Sequence, residues 1–465
     1  MQLIKVNYFR IGNVVLISLL GACSINAPKT KQELSQQSLP AVEIPQQFQG
    51  GKKAVPETVP IDDAWLKQFN DAELNQLIDE ALKNNPDIKV IAARRSQSES
   101  LIDAATGAQY PSVNAIGNTG GKVGSSGTGT TGYYIGANWE LDLWGRVRTS
   151  IAGAQQNAKA IQADQNAARL SLIAGIAKAV WFARGLQEQA RLANLNAHAA
   201  KKQADLVAIR ERVGASSLAD LSAARIGASQ AKEFALSSEQ SRDQALRAVE
   251  ILVGRYPKAQ PLKTSALPKL PNPVAPGLPA DLLERRPDIV AAEARVNSAF
   301  YLADEKRLAR LPKISLTGGF GYINSQIFTL VNGPTTNLGA GANLMMPIFQ
   351  GGAIEAQIAY QNAEAKAALA NYGKVVLAAF NDVENALTGE ATWRERSNEL
   401  QLQLDEQKQF LARTEKEFEI GRVDQRSVQQ QMMKTNSTEI SWRQGKIDAL
   451  VQRVNLYLAL GGSAD

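Results

Sequence analysis

"ALKNNPDIKVIAARRSQ" occupies residues 81–97, and "LLERRPDIVAAEARVNS" occupies 282–298. Pro86-Asp87-Ile88 recurs as Pro287-Asp288-Ile289, 201 residues on. A three-residue match means little by itself, but the offset persists along the chain. Tyr110-Pro111-Ser112-Val113 falls against Leu311-Pro312-Lys313-Ile314 at 201, and Gly136-Ala137-Asn138 against Gly341-Ala342-Asn343 at 205. "LDLWGR", ending at Arg146, falls against "MPIFQGG" around Phe349. Gly214 and Gly421, then Gly254 and Gly461, match at 207. Ordered matches with a slowly drifting offset mean a duplicated unit of about 200 residues, and such a repeat dictates architecture. Two long copies predict a pseudo-symmetric body rather than a solenoid.

Residues 254–281, between the copies, carry seven prolines. Proline fixes φ and has no amide donor, so this run reads as an extended connector packed on the outside of the body.

The front end has a different grammar. Lys5 and Arg10 precede a short apolar run, Ile11–Leu20, and then Leu20-Gly21-Ala22-Cys23. The run is too short to span a bilayer, which takes about 20 residues, and reads as a cleaved secretory signal over 1–22. Cys23 is the sole cysteine, so no internal disulfide forms. Residues 23–60, rich in Gln, Pro, Ser and Lys, read as an extended arm. Losing the leader lowers the formal charge from +6 to +4, and no dense basic run with interleaved aromatics points to nucleic acid.

From Arg146 to Arg212 there is no proline and little glycine. As one helix this span is about 100 Å long, at about 1.5 Å per residue. The second copy repeats the pattern from about Gly352 to Ile420. Alanine supplies 11 of the 32 residues in 152–183, which lets helices approach closely. Gly214 and Gly421 are expected as turn points at the tips, since glycine takes positive φ at helix ends. Each copy therefore predicts one very long helical hairpin.

Between the "PDI" helix and the long helix the period changes to two. "YIGANWELDL", "KISLTGGFGY" and "LGAGANLMMPI" alternate apolar with polar or glycine residues, and "SVNAIGNTGG" does so more weakly. Four strands of about 9–11 residues suit a tilted membrane crossing. Four cannot close a barrel, and an open edge in lipid leaves amides unsatisfied. Several chains must then share one barrel.

With these motifs in place, the chain resembles the TolC-like outer-membrane efflux family, in its OprM-like lipoprotein branch. The residues that carry the resemblance are Leu20-Gly21-Ala22-Cys23, "NPDI" and "RPDI", "WELDLWGR", "PIFQGG" and the two tip glycines, over about residues 60–462. The resemblance implies a lipobox, with cleavage before Cys23 and a covalent lipid on it, and no other cofactor. It implies an α+β membrane protein: a homotrimer with one shared twelve-stranded barrel and a long periplasmic helical tunnel. The repeats would run over 61–254 and 281–462, joined by the connector at 255–280. The implied role is passive export of small toxic compounds from the periplasm. A periplasmic adaptor and an inner-membrane pump, of the RND type, are the implied partners, with outer-membrane lipid around the barrel. The alternative is an outer-membrane duct for protein or polysaccharide secretion.

No catalytic constellation competes with this. His198, the sole histidine, sits among alanines in a helical stretch. Without a second histidine or cysteine beside it there is no zinc set, and no phosphate-binding glycine loop follows a strand. Function is expected at the tips instead. There the family has carboxylates ringing the pore and salt bridges holding it shut. The candidates are Asp424 and Arg422, with Arg426, in the second copy, and Asp220 in the first. Gln430 and Gln431 stand where a further acid is common. Val213, Gly214 and Ala215, with Ile420 and Gly421, are the candidate adaptor-docking tips. Leu218, Leu221 and Val428 would supply an apolar closure if the gate is not electrostatic.

Overall fold

A computed structural model describes residues 29–41, 45, 47–50, 65–119, 131–273, 283–324 and 335–462. The expected leader and Cys23 lie outside the described residues. Helices dominate: α1 (Lys31–Ser38), α2 (Ala72–Asn84), α3 (Pro86–Gly107), α4 (Arg146–Arg212), α5 (Leu218–Val253), α6 (Pro287–Leu308), α7 (Ala353–Glu419) and α8 (Gln425–Ala459). Four strands interrupt them: β1 (Ser112–Thr119), β2 (Thr131–Leu141), β3 (Lys313–Asn324) and β4 (Thr335–Met345). The long helices α4 and α7 are each 67 residues, as the proline-free spans predict. Among the described residues no helix is long and apolar enough to cross a membrane.

The chain forms two compact units. One contains the described residues among 29–41, 93–163 and 291–375. Its strands make one antiparallel sheet in the order β1-β2-β3-β4, so the copies join through β2 and β3. The register puts Val113 and Ala115 on one face with Ile135, Ala137, Trp139, Leu316, Phe320, Leu338, Ala342 and Leu344. The other face carries Asn114, Asn138, Thr317, Asn343 and a floor of glycines. The Tyr134 ring lies on that floor: a Cβ at Gly319 or Gly321 would run into it. Tyr133 stacks on Tyr322 across the apolar face, with centroids 5.9 Å apart.

The register also refines the repeat. Ser112 pairs with Asn138, and Lys313, its counterpart, pairs with Met345. Met345 is 207 residues beyond Asn138, not the 205 read from Gly136-Ala137-Asn138. Gly145 and Gly352, both at positive φ before a long helix, are again 207 apart. The whole drift from 201 to 207 therefore falls between β1 and β2 in one copy and β3 and β4 in the other. A two-residue shift preserves every face, because side chains alternate with period two, so the sequence pattern could not exclude 205.

"WELDLWGR" forms the junction from β2 to α4. Arg146 makes two bonds to Glu140, at 3.0 and 2.9 Å, and one to Glu305 at 3.2 Å. The Asp142 carboxylate accepts from the amides of Val147 and Arg148, which satisfies first-turn donors of α4. Trp144 Nε1 donates to the Pro312 carbonyl at 2.6 Å. The N-terminal arm departs from the extended form expected for it. Thr30 and Glu33 build a capping box that starts α1, and Leu34 is fully buried. Ser35 Oγ and Tyr372 Oη lie 3.3 Å apart, and Lys29 sits over the Phe300 ring.

The second unit contains the described residues among 45–92, 164–290 and 376–462. Trp65, Phe69, Trp181 and Tyr457 cluster in its core, with Trp65 stacked on Tyr457 at 5.1 Å. Further along, Ala193, Ala197 and Ala235 pack α4 against α5 through small side chains. At the "PDI" starts the copies solve one problem with different residues. Asn85 Oδ1 caps α3 through the amides of Asp87 and Ile88, while its Nδ2 donates to the Leu252 carbonyl at 2.8 Å. Arg286 cannot cap, but it donates to the equivalent carbonyl, Ala459, at 3.4 Å, and Asp288 accepts from the Ile289 amide.

The proline-rich connector is pinned along the part described. The amides of Ala259 and Gln260 donate to the buried Glu250 carboxylate, and Lys263 N donates to Glu73. Its carbonyls accept from long cations: Ala266 from Arg184, Leu267 from Lys446, Pro271 from Arg394 and Asn272 from Arg453. Extended, proline-rich backbone has no ladder partners, so side chains supply the donors. Arg184 and Arg453 are almost wholly buried and also pair with carboxylates, Arg184 with Asp71 at 2.5 and 3.0 Å and Arg453 with Glu390 at 2.5 Å. Burial pushes the Asp71 carboxyl up, but the hydrogen bonds from Arg184 and Leu74 hold it below its ordinary value.

Removing one member of a buried ion pair typically costs about 3–5 kcal/mol. Arg184→Ala is therefore expected to lower thermal stability by about that amount, and Arg184→Met by less, because methionine fills the volume. Since the Asp71 pKa is depressed, its contribution is present above the unfolded value of about 3.9 and is lost as pH falls through the folded value. Thermal melts of wild type against Arg184→Ala at neutral and acid pH should show the difference narrowing in acid.

Candidate functional site

The tips are built twice from one backbone plan. At the end of α4, Ala215 N donates to Arg210 O at 2.7 Å and Gly214 N to Glu211 O at 2.9 Å, with Gly214 at φ +75°. At the end of α7, Arg422 N donates to Glu417 O at 2.8 Å and Gly421 N to Phe418 O at 2.9 Å, again with φ +75°. This is a Schellman closure, which needs a left-handed residue and favours glycine. Both tip glycines are where the sequence placed them.

The returning helices start with the same two chemistries in opposite order. Ser217 is the N-cap of α5; its Oγ accepts from Asp220 N at 3.0 Å, and the Asp220 carboxylate accepts from Ser217 N and Oγ. Asp424 is the N-cap of α8 and accepts from Ser427 N at 2.9 Å and Ser427 Oγ at 3.0 Å. Ser217 and Asp424 are equivalent positions, as are Asp220 and Ser427, at the offset of 207. The two acids singled out by sequence are therefore not copies of one another. Each holds a helix start.

Their electrostatics follow. The Ser217 hydroxyl and amide hold the Asp220 carboxyl below its usual range. The Ser427 amide, then its hydroxyl, does the same for Asp424. Arg426 and Arg210 add to both through their fields. Among the described residues neither Arg422 nor Arg426 closes an ion pair of 4.0 Å or less with either acid. Asp220, Asp424, Arg426 and Arg210 all line one groove of about 690 Å³ at the tips. Arg422 is exposed and does not line it. Arg210 was missed by sequence reasoning; its signal was a cation in the last turn of α4, where the helix dipole favours one.

The remaining tip residues separate into two roles. Gln430 lines the groove, whereas Gln431 is buried and donates to Gln407 Oε1 at 2.7 Å. Leu221 is buried, but Val213, Leu218 and Ile420 are exposed, each by about two thirds or more. The tip thus presents an apolar surface beside a charged groove.

The outer membrane efflux protein model matches residues 77–255 and again 278–462. The chain belongs to the outer membrane efflux protein family. It is 28% identical to outer membrane protein OprJ of Pseudomonas aeruginosa, over 98% of this chain and 96% of that one. It is 31% identical to the pyoverdine export outer membrane protein OpmQ of Pseudomonas putida, over 80% and 79%. Among solved structures, the Campylobacter jejuni CmeC outer membrane channel matches with a TM-score of 0.79 at 22% identity, covering 94% of each chain. The open-state Neisseria gonorrhoeae MtrE outer membrane channel matches at 0.76 and 25%, covering 94% and 97%. The fold class is the one expected, an α+β membrane protein with the long helices and four-stranded sheet of an outer-membrane efflux channel. As a family member, the protein is the outer-membrane component of an efflux pump.

If the acids are first of all caps, removing a cap loosens the tip. Ser217→Ala is expected to cost about 1 kcal/mol at the start of α5. Hydrogen exchange should quicken at the amides of Ala219, Asp220 and Leu221, while those of α8 stay unchanged.

Proposed function

We propose that three copies of the chain form one passive conduit through the outer membrane, with a twelve-stranded barrel shared between them. The observation that carries this is the sheet. It is amphipathic, it has four strands, and β1 and β4 each pair on one side only within the chain. Such edges are tolerated in lipid only when another chain completes them. The apolar face turns to lipid, and the glycine face with Tyr134 lines the pore. The helical hairpins extend into the periplasm, and their tips receive a periplasmic adaptor that links the channel to an inner-membrane pump of the RND type. Gly214 and Gly421, flanked by the exposed Val213, Ala215 and Ile420, are the docking points.

The cargo is small toxic compounds, and the pump selects it. Related outer-membrane proteins of Pseudomonas putida are described for toluene efflux, antibiotic efflux and pyoverdine export, so the family's channels serve chemically unlike loads. Lipid on Cys23 anchors the arm. In this reading the charged groove at the tips is the gate: Asp220 and Asp424 bias it toward cations, and Arg210, Arg422 and Arg426 pair with the acids of neighbouring copies when it is shut.

Native mass spectrometry of the detergent-solubilised protein is expected to give three chains, and the same sample is expected to conduct in planar bilayers. A folded, stable monomer or a trimer without conductance overturns the proposal. Because both tip carboxyls have lowered pKa values, cation selectivity is expected to persist into acid beyond the range where an ordinary aspartate protonates, and to fall in stronger acid still. Asp220→Ala with Asp424→Ala should weaken selectivity at neutral pH, more at low salt than at high salt. Cys23→Ser should abolish acylation, read as the mass of the mature N-terminal peptide, while trimers still form.

A further inference from the structure

The polar face of the sheet has little on it that could tell one passing molecule from another. Its charges, Glu140 and Lys313, stand at its base, and among the described residues the rest of it is neutral. Tyr134 is the one aromatic residue on it among the described residues, and the second copy has Gly341 in the equivalent place. Resting on the reading that this face lines a pore, we propose that Tyr134 is the residue by which the barrel wall discriminates among cargoes. It forms a recessed platform on which planar aromatic compounds stack as they pass.

The recess is built from three glycines. A Cβ at Gly136 would come within 2.5 Å of Tyr134 Cε1, and one at Gly321 within 2.8 Å of Cδ2. A Cβ at Gly319 would overlap Cζ and Oη. Gly136 is on β2 with the tyrosine, whereas Gly319 and Gly321 are on β3, opposite Gly136 and Tyr134. The ring therefore crosses from β2 to β3 and lies flat on the backbone. Gly321 is buried beneath it, yet Tyr134 stays 39% exposed. The ring's bulk is held against the wall while part of its surface remains open.

The floor continues past the ring. Gly319 pairs with Gly339 and Thr317 with Gly341, and Gly339 and Gly341 are exposed. A cavity of about 340 Å³ lies there, with Tyr134, Thr317, Gly319, Gly339 and Gly341 in its lining. Small-molecule sites span about 300–1,000 Å³. No packing inside the chain calls for glycine at 339, since a Cβ there would meet nothing within 4 Å. Its effect is to leave the floor bare beside the ring. The chain itself shows what such a floor takes, because an aromatic ring is already seated on the β2–β3 half. A second ring on the β3–β4 half would meet Tyr134 edge-on or offset, the arrangements that aromatic pairs favour. Thr317 Oγ1 donates to the Gly341 carbonyl at 3.3 Å, so its lone pairs are left to accept from an indole N–H or a phenol.

Single-channel recording in planar bilayers tests this. N-acetyltryptophanamide is the aromatic probe and N-acetylleucinamide the aliphatic control; both are uncharged, and both are added on the barrel side, away from the helical tips. Wild type is expected to show brief partial blockades with the aromatic probe, and about fivefold fewer with the control, the factor that a stacked ring supplies. Tyr134→Leu should lower the aromatic blockades by about the same factor, and Tyr134→Phe should keep them. Gly339→Val fills the bare floor and should remove them with Tyr134 in place. Gly319→Ala drives the ring off the wall and should lower conductance with no probe present, and adding Tyr134→Ala should restore it. Native mass spectrometry checks that each variant is a trimer; if Gly319→Ala does not assemble, Gly321→Ala reads the same recess. Blockades in Tyr134→Leu equal to wild type, or equal blockades from the two probes, overturn the proposal. So does a wild-type trimer that conducts and is never blocked. A conductance loss in Gly319→Ala that persists with Tyr134→Ala overturns the recess. Wild-type protein that forms no conducting trimer overturns the reading beneath it.

Discussion

An unpaired backbone amide in hydrocarbon has no water to turn to, and a four-stranded sheet has two edges of them. That constraint ties the features of this protein together. The chain is long because it holds two copies of a strand hairpin and a helical hairpin, and still its sheet ends at β1 and β4. Closure has to come from other copies. On the proposed reading, three chains of two copies make a ring of six near-equivalent units.

The copies share a backbone plan and differ in chemistry, which a trimer of pseudo-dimers allows. Asn85 and Arg286 reach equivalent carbonyls with unlike side chains. The serine and aspartate of the tip caps are exchanged between copies. The Arg146 knot fixes one strand-to-helix junction, while the other ends in exposed Ile348 and Phe349. A perfect sixfold ring would repeat every charge six times. Here each tip acid recurs three times, Asp220 held by Ser217 and Asp424 by Ser427. The helix caps already account for the position of both acids. Their charge is a by-product of capping that a gate can use, and the hydrogen bonds from serine lower both carboxyl pKa values.

Much of the architecture was legible in the sequence because it rests on strong local signals. The absence of proline between Arg146 and Arg212 is the length of α4, and Gly214 and Gly421 mark the tips because few other residues take φ +75°. Alternation exposed the strands and their faces. The true offset between β2 and β4 was not legible, since shifts of two residues leave the alternation unchanged. Nor was the helix at 31–38, which a polar composition hides and a Thr30–Glu33 box creates. The buried arginines were invisible for another reason. Arg184 and Arg453 look like surface charges on helices until the connector and its carbonyls are folded against them. At the tips the acids were found but their first role was not, because capping depends on which residue precedes the helix by one.

The central claim is that both outer edges of the sheet are paired in the assembled protein. Hydrogen–deuterium exchange on the detergent-solubilised particle tests it directly, by comparing amides of β1 and β4 with those of β2 and β3. Inside one chain, every second amide of β1 and β4 faces outward with no partner. If neighbouring copies complete the barrel, all four strands should be protected to the same extent. Protection of β2 and β3 with rapid exchange in alternate residues of β1 and β4 would contradict the account.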